Sequence, residues 1–368
     1  MKTEKERRGI FKYVPVASFV IFCVAAAAAA IHVTMYCSPR FADFFNRYIS
    51  SFFRLVLAKT TAFYPASLAE LVLFAAPLII VVALVGINRF MDRGGHNFAR
   101  SLAAIISFAA LMYSLFVFDF AAGYRCTPIG EKMGLEVRDS TAEELYDVTA
   151  TVVNELNKLA DDIDFSNNGA SVKPFGHDEC VRLCVGAYDK VREEFPFIGN
   201  FKAPVKRLAV SDLMTYTHIS GVYSFYTGEA NLNVNYPDFV NVYTMAHEMA
   251  HQRGIARENE ANFVAYLVCI ASDDPYMRYC GYLNMYQYLT EPLWNADRDL
   301  YVKANSALDP RVRLDLVRYS EFFEKYRKSA AADVTEKINN GYLVIQGTEG
   351  TKSYGLVVDL ALAYYRSK

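Results

Sequence analysis

The stretch "HEMAHQRGIARENEANF", His247–Phe263, places two histidines four residues apart, with a glutamate beside the first and more acids within a dozen residues. On a helix, residues four apart share one face about one turn apart, so both imidazoles can reach a single cation. Glu248 then stands next to the ion without having to bind it. The flanks fit a helix: "PDFVNVYTMAHEMAHQ" (237–252) has Pro237 and Asp238 at its start, and Gly254 falls where a helix C′ residue belongs. Met249 and Ala250, apolar and small, suit a helix buried beside a metal.

A catalytic zinc needs a third protein ligand and one position open to water. A ligand six residues after the second histidine would fall on Arg257, which cannot bind a cation. Glu258 and Glu260 remain. Asn262 is four residues after Glu258 and on the same helical face, where it could hydrogen-bond a ligating histidine and set its tautomer. Glu260 points nearly opposite and reads as a solvated or salt-bridged acid. Glu258 is the expected third ligand, with Glu260 as the alternative.

H-E-x-x-H followed by E-x-x-A-N (Glu258–Asn262) resembles the gluzincin zinc peptidases. The wider run "GEANLNV…HEMAHQRGIARENEANFVAYLVC" is similar to an uncharacterised family of bacterial membrane proteins with three N-terminal spans and a zinc-peptidase-like domain outside. That likeness extends over essentially the whole chain, including "SYGLVVDLALAYY" (Ser353–Tyr365). It implies His247, His251 and Glu258 as zinc ligands and Glu248 as the catalytic acid. The gap from His251 to Glu258 is shorter than in the best-known gluzincins, and Asn262 stands where aspartate is commoner.

Hydrophobic residues make up 53% of the 368-residue chain, so it matters where they lie. They cluster in the first third. Val14–Tyr36 is charge-free and long enough to cross the ~30 Å hydrocarbon core as a helix. Leu71–Asn88, preceded by Ser67 and Glu70 at capping-box spacing, and Ser101–Phe118 are two more such runs. The expectation is a membrane domain over 1–123 with spans near 14–36, 68–88 and 101–122. Basic residues in "MKTEKERRGIFK" and in "NRFMDRGGHNFAR" place the N-terminus and the second loop in the cytoplasm. The segment 37–66 and everything after about residue 123 would then lie outside. A net charge of −2 gives no sign of nucleic-acid binding.

Residues 124–368 read as a mainly helical, α+β zincin-like domain with a small sheet. "STAEELYDVTATVVNELNKLADDID" (140–164) and "HDECVRLCVGAYDKVREEF" (177–195) have helical periodicity. "APVKRLAVS" (203–211) reads as a strand, and "GVYSFYTGEANLNVNYP" (221–237) as β structure turning at Thr227–Gly228. "NNGYLVIQGTEGTKSYG" (339–355) reads as a turn-rich break. Seven cysteines are too few for a disulfide framework in a chain of this length; Cys180 and Cys184 read as packing residues.

These features suggest peptide hydrolysis, with Glu248 passing a proton from water to the leaving amine. A donor to the oxyanion would come from Tyr216, His218, Tyr223, Tyr226, Tyr279 or Tyr282, with Tyr279 and His218 favoured. The strand "GEANLNV" (228–234) could be an edge that pairs with extended substrate, placing Glu229 and Asn231 near the cleft. The expected partners are a peptide or protein substrate and the lipid bilayer, and the oligomeric state is open. The rival readings are a catalytically silent sensor or binding protein and a transporter or assembly factor. Glu248 favours turnover over the first, and the scarcity of polar residues within the spans argues against the second.

Overall fold

The computed structural model describes residues 9–91, 95–346, 348 and 356–368. The chain is mainly helical with one small mixed sheet. Its internal contacts divide it into two units, Met1–Cys126 with Ser224–Gly228, and Thr127–Tyr223 with Glu229–Lys368.

In the first unit the apolar runs form helices α1 (Val16–Cys37), α4 (Leu68–Met91) and α5 (Gly95–Asp119). Two stretches, Val16–Cys37 and Phe98–Asp119, are long and apolar enough to cross a membrane. At 1.5 Å per residue each reaches about 33 Å. The middle expected span falls on α4, whose side chains at 77, 80 and from 83 onward lie outside the described residues. Its start is capped as the spacing predicts, with Glu70 N donating to Ser67 Oγ at 3.0 Å.

Helices α1 and α5 pack in parallel. Arg100 Nη1 donates to Phe11 O, Ser107 Oγ to Ser18 Oγ, and His32 Nδ1 meets Tyr113 OH, so partner numbers rise together. Their C-terminal ends, Cys37 and Asp119, therefore lie at the same end of the pair. Between α1 and α4 the segment expected as an outer loop is helical: α2 (Pro39–Phe44), a π-helical turn (Phe45–Ser50) and α3 (Ser51–Thr61). Ser38 Oγ accepts from Phe41 N, and Pro39 occupies the first turn, where its missing N–H costs nothing.

The second unit holds α6 (Ile129–Lys132), α7 (Ala142–Leu159), α8 (His177–Glu194), β1 (Val205–Arg207), α9 (Ser211–Thr215), β2 (Gly221–Ser224, all but its last residue), β3 (Glu229–Leu232), α10 (Asp238–Gln252), α11 (Glu258–Ile270), α12 (Pro275–Ala296), α13 (Arg298–Ala307), α14 (Pro310–Glu324), α15 (Ala330–Ile345) and α16 (Leu356–Arg366). Helices α7, α8, α10, α11 and α12 pack together, and α10 lies against β3. Val152, Leu156, Tyr188, Met245, Met249, Phe263, Leu283 and Leu289 make the centre of this core. Cys180 and Cys184 are buried in it, as packing residues should be.

Two expectations change. The sheet order is β1-β3-β2, with β1 parallel to β3 (Val205 opposite Ala230), so the strand in "GEANLNV" is central and not an edge. All four of its residues are buried, which fits a strand flanked on both sides. The edges on either side of it are β1 and β2. The expected break at 339–355 begins later: α15 continues to Ile345, because 332, 335, 339, 342 and 343 keep helical spacing toward the protein. Positions 347 and 349–355 lie outside the described residues.

Candidate metal centre

Helix α10 carries His247 and His251 on one face, their ring centroids 4.6 Å apart and their planes perpendicular. It ends in a Schellman turn: Gly254 N donates to His251 O, Ile255 N to Ala250 O, and Gly254 takes φ 85°. Four residues after Gly254, Glu258 opens α11, where the positive end of the helix dipole favours a carboxylate. The turn thus brings Glu258 back onto the two histidines.

The three side chains converge. His247 Nε2 lies 3.2 Å from Glu258 Oε2, and His251 Nε2 lies 3.7 Å from Glu258 Oε1. One ligand atom from each of the three residues lies within 4.8 Å of the others. Ligands at 2.0–2.2 Å around a tetrahedral ion would be about 3.3–3.6 Å apart, so these separations are close to a coordination shell. Among the described residues no other group of three such side chains meets this condition.

The same turn orients His251. Its Nδ1 donates to Ile255 O at 2.7 Å, because a carbonyl can only accept, and that tautomer leaves a lone pair on Nε2. Tyr243 OH donates to Asn262 O at 2.7 Å and ties α10 to α11. The Asn262 side chain stands beside His247 and favours its charged form. His247 Nδ1 and Asn262 Nδ2 are nonetheless both buried without a hydrogen-bond partner.

Charge is concentrated here in a dry place. Burial works against a charged His247, but the hydrogen bond and attraction of Glu258 outweigh it and raise its pKa. Burial dominates at His251, lowering it to about 4. Glu258 is pushed up by burial yet ends lowered, because both imidazoles attract its charge. A set of two imidazoles and one carboxylate that favours its own negative charge suits a borderline divalent ion such as zinc.

Glu248 is 3% exposed, and its Oε2 has no hydrogen-bond partner. Burial, with a smaller contribution from Glu258, raises its pKa to about 8 against the pull of His247. Edge strand β2 lies directly against it. A Cβ on Gly221 would stand 2.6 Å from Glu248 Oε1 and 2.7 Å from Thr244 Cγ2. Thr244 Oγ1 in turn donates to Ser220 Oγ at 3.1 Å, holding the start of the strand on α10.

Several sequence expectations fall elsewhere. Glu260 Oε1 accepts from Ile129 N at 3.0 Å and pairs with Arg257 at 2.8 Å, so it serves as a buried strut. Tyr279 is committed to the core: its OH donates to Asp315 Oδ2 at 2.9 Å, and its ring packs on Phe165 and Tyr276. His218 meets Tyr326 O through Nε2 and stacks on Phe323, at φ 60°. Asn231 uses its Nδ2 to brace Val222 O and Glu229 O, and both Glu229 and Asn231 are buried in the sheet. Asn231 thus braces the edge strand, and neither side chain is exposed to a cleft.

Residues the spacing did not point to include Gly221, Tyr288 and Arg253. Tyr288 on α12 has its pKa raised first by burial and next by the negative charge of Glu258. Arg253 is buried over the Tyr188 ring, 3.6 Å from its centroid, and donates to Met249 O and Phe201 O. Burial lowers it to about 10. A glycine opening a β-rich run is the only one of the three with a sequence signal, since it can mark close backbone approach.

No curated protein and no solved structure matches the chain. The family described as "Protein of unknown function (DUF3810)" matches residues 41–362, and the chain belongs to it.

Proposed function

We propose that this chain is a membrane-anchored, zinc-dependent metallopeptidase that hydrolyses peptide bonds outside the cytoplasm. The observation that carries the reading is the convergence of His247, His251 and Glu258 beside a buried Glu248. His247, His251 and Glu258 would hold the ion, and Asn262 would support His247 from behind. When bound, zinc supplies a water acidic enough to lose its proton near neutral pH and a positive charge that polarises a carbonyl.

The remaining work belongs to the chain. Glu248 accepts the proton of the attacking water and returns it to the departing amine. The Ile255 carbonyl keeps His251 in one tautomer throughout. Helices α1 and α5, with α4 between them in sequence, would anchor the chain, the N-terminus on the cytoplasmic side.

The test is metal analysis of the full chain and of Glu248→Gln, both assayed on a peptide library. Retained zinc with cleavage lost only in the variant supports the proposal. Equal turnover in both rejects the role of Glu248. Zinc without turnover in either supports a silent sensor or binding protein, and absence of zinc from both rejects the metal centre.

A further inference from the structure

The helical segment between α1 and α4 has one face turned away from the protein. Phe44, Tyr48, Phe52 and Val56 recur every four residues and are 43–61% exposed. Ala42, Phe45, Ser50, Arg54, Ala58 and Thr61 take the opposite, buried face. A spacing of four drifts around a helix of 3.6 residues per turn. The wider turn of the π-helix at Phe45–Ser50 offsets that drift and keeps the aromatic stripe aligned. At the end of the segment Phe63 is 87% exposed.

The position of this stripe is fixed by two attachments. Cys37, the end of α1, leads through Ser38 directly into α2. The buried guanidinium of Arg54 donates through Nη1 to Asp119 O, the end of α5, and through Nη2 to Asn46 O in the π-helical turn. The stripe therefore runs across the end of the α1–α5 pair, at the level where both apolar helices stop. That level is where tyrosine and other amphipathic rings collect in membranes. Residues 38–64 hold four basic residues and a single acid, Asp43, and Arg40, Arg47 and Lys59 are exposed.

We infer that residues 38–64 form an interfacial element lying in the plane of the bilayer. Its Phe44–Tyr48–Phe52–Val56 stripe sits at the boundary of headgroups and acyl chains, with Arg40, Arg47 and Lys59 on anionic headgroups. This inference rests on reading α1 and α5 as membrane spans. A polar loop would leave the depth of the helix ends loosely set, whereas an embedded aromatic stripe fixes it.

Fluorescence of the full chain in nanodiscs containing lipids brominated along the acyl chains tests it. All variants carry Trp294→Phe, which removes the single native tryptophan. Phe52→Trp reports on the stripe, Val24→Trp on the middle of α1, and Leu213→Trp on a water-exposed site of the second unit. The expected result is emission reduced by about half at positions 24 and 52 and unchanged at 213, with shallow bromines acting more strongly at 52 than deep ones. Quenching at 24 without quenching at 52 overturns the inference and leaves the anchor standing; a dimer in that case would point to a second copy covering the stripe. Deep bromines quenching both positions alike overturn the interfacial depth. Quenching at neither position removes the anchor and the inference with it.

Discussion

Gly221 on strand β2 lies so close to Glu248 that a Cβ there would come within 2.6 Å of the carboxylate Oε1 and 2.8 Å of Cγ. The strand can hold that position because Asn231 braces Val222 O and Ser220 is tied to Thr244. Gly221→Ala forces either the strand or the carboxylate to shift. Misplacement of a reacting group by about 1 Å can cost on the order of 100-fold in rate, so kcat falls by up to that amount. Zinc content stays unchanged, because the atoms nearest a Cβ there belong to Glu248 and Thr244 and not to His247, His251 or Glu258. Steady-state kinetics beside metal analysis reads both, and lost zinc with intact kcat would be the wrong pattern.

The two acids of α11 should separate cleanly. Glu258→Ala removes a carboxylate that meets both histidines and lowers zinc affinity by more than the roughly 10- to 100-fold typical of losing an outer partner. Asn262→Ala falls within that range. Glu260→Gln keeps an acceptor for Ile129 N but loses the ion pair with Arg257, and lowers stability by about 1–3 kcal/mol with zinc affinity retained. Competition with a chromophoric chelator and thermal melts of the three variants decide the matter.

Some of this was legible in the sequence because it is local. The spacing of His247, His251 and Glu258, the Gly254 turn and the cap at Ser67 depend on residues within a turn or two of each other. The helix nearest the centre could thus be drawn before its neighbours were known. Strand order could not. Whether β3 is an edge depends on β1, more than twenty residues earlier, pairing in parallel beyond it. For the same reason Glu229 and Asn231 looked available and are buried. Tyr279 lies on a helix with several other tyrosines, and only the packing of α12 against α7, α10 and α11 turns it toward Asp315.

Tyr279→Phe therefore acts on stability and not on turnover. It removes one of the donors to Asp315, whose pKa is already raised by burial despite hydrogen bonds from Ser171 and Tyr279. An acid with a raised folded pKa binds more protons folded than unfolded. Its stabilising contribution is complete below the unfolded pKa, about 3.9, and is lost as pH rises through the folded value. Losing Tyr279 raises the folded value further. The variant should be less stable than the parent by about 1–3 kcal/mol near neutral pH, with the gap closing toward pH 4. Its kcat should equal the parent's, and a selective loss of kcat would restore Tyr279 to the site.

Glu144 provides the opposite sign. Its carboxylate closes the capping box of α7 with Thr141 and also meets Arg138 at 2.7 Å and Arg366, from the last turn of α16, at 3.2 Å. Arg138 first, then the Thr141 backbone, hold its pKa down at about 2. A depressed carboxyl contributes stability above its unfolded pKa, about 4.3, and that contribution disappears as pH falls through the folded value. Glu144→Gln keeps an amide acceptor for the cap but removes the charge. It should melt below the parent at neutral pH, with the difference narrowing from about pH 4 and closing near pH 2. The difference should also shrink in high salt, because the pairs are solvent-exposed. Thr141→Ala separates the cap from the charge: a hydroxyl does not titrate in this range, so its cost of about 0.5–2 kcal/mol persists at low pH. Melting curves of both variants across that range, at low and high salt, measure the two effects. A gap for Glu144→Gln that widened with acid would contradict the assignment of Arg138 and Arg366 as its partners.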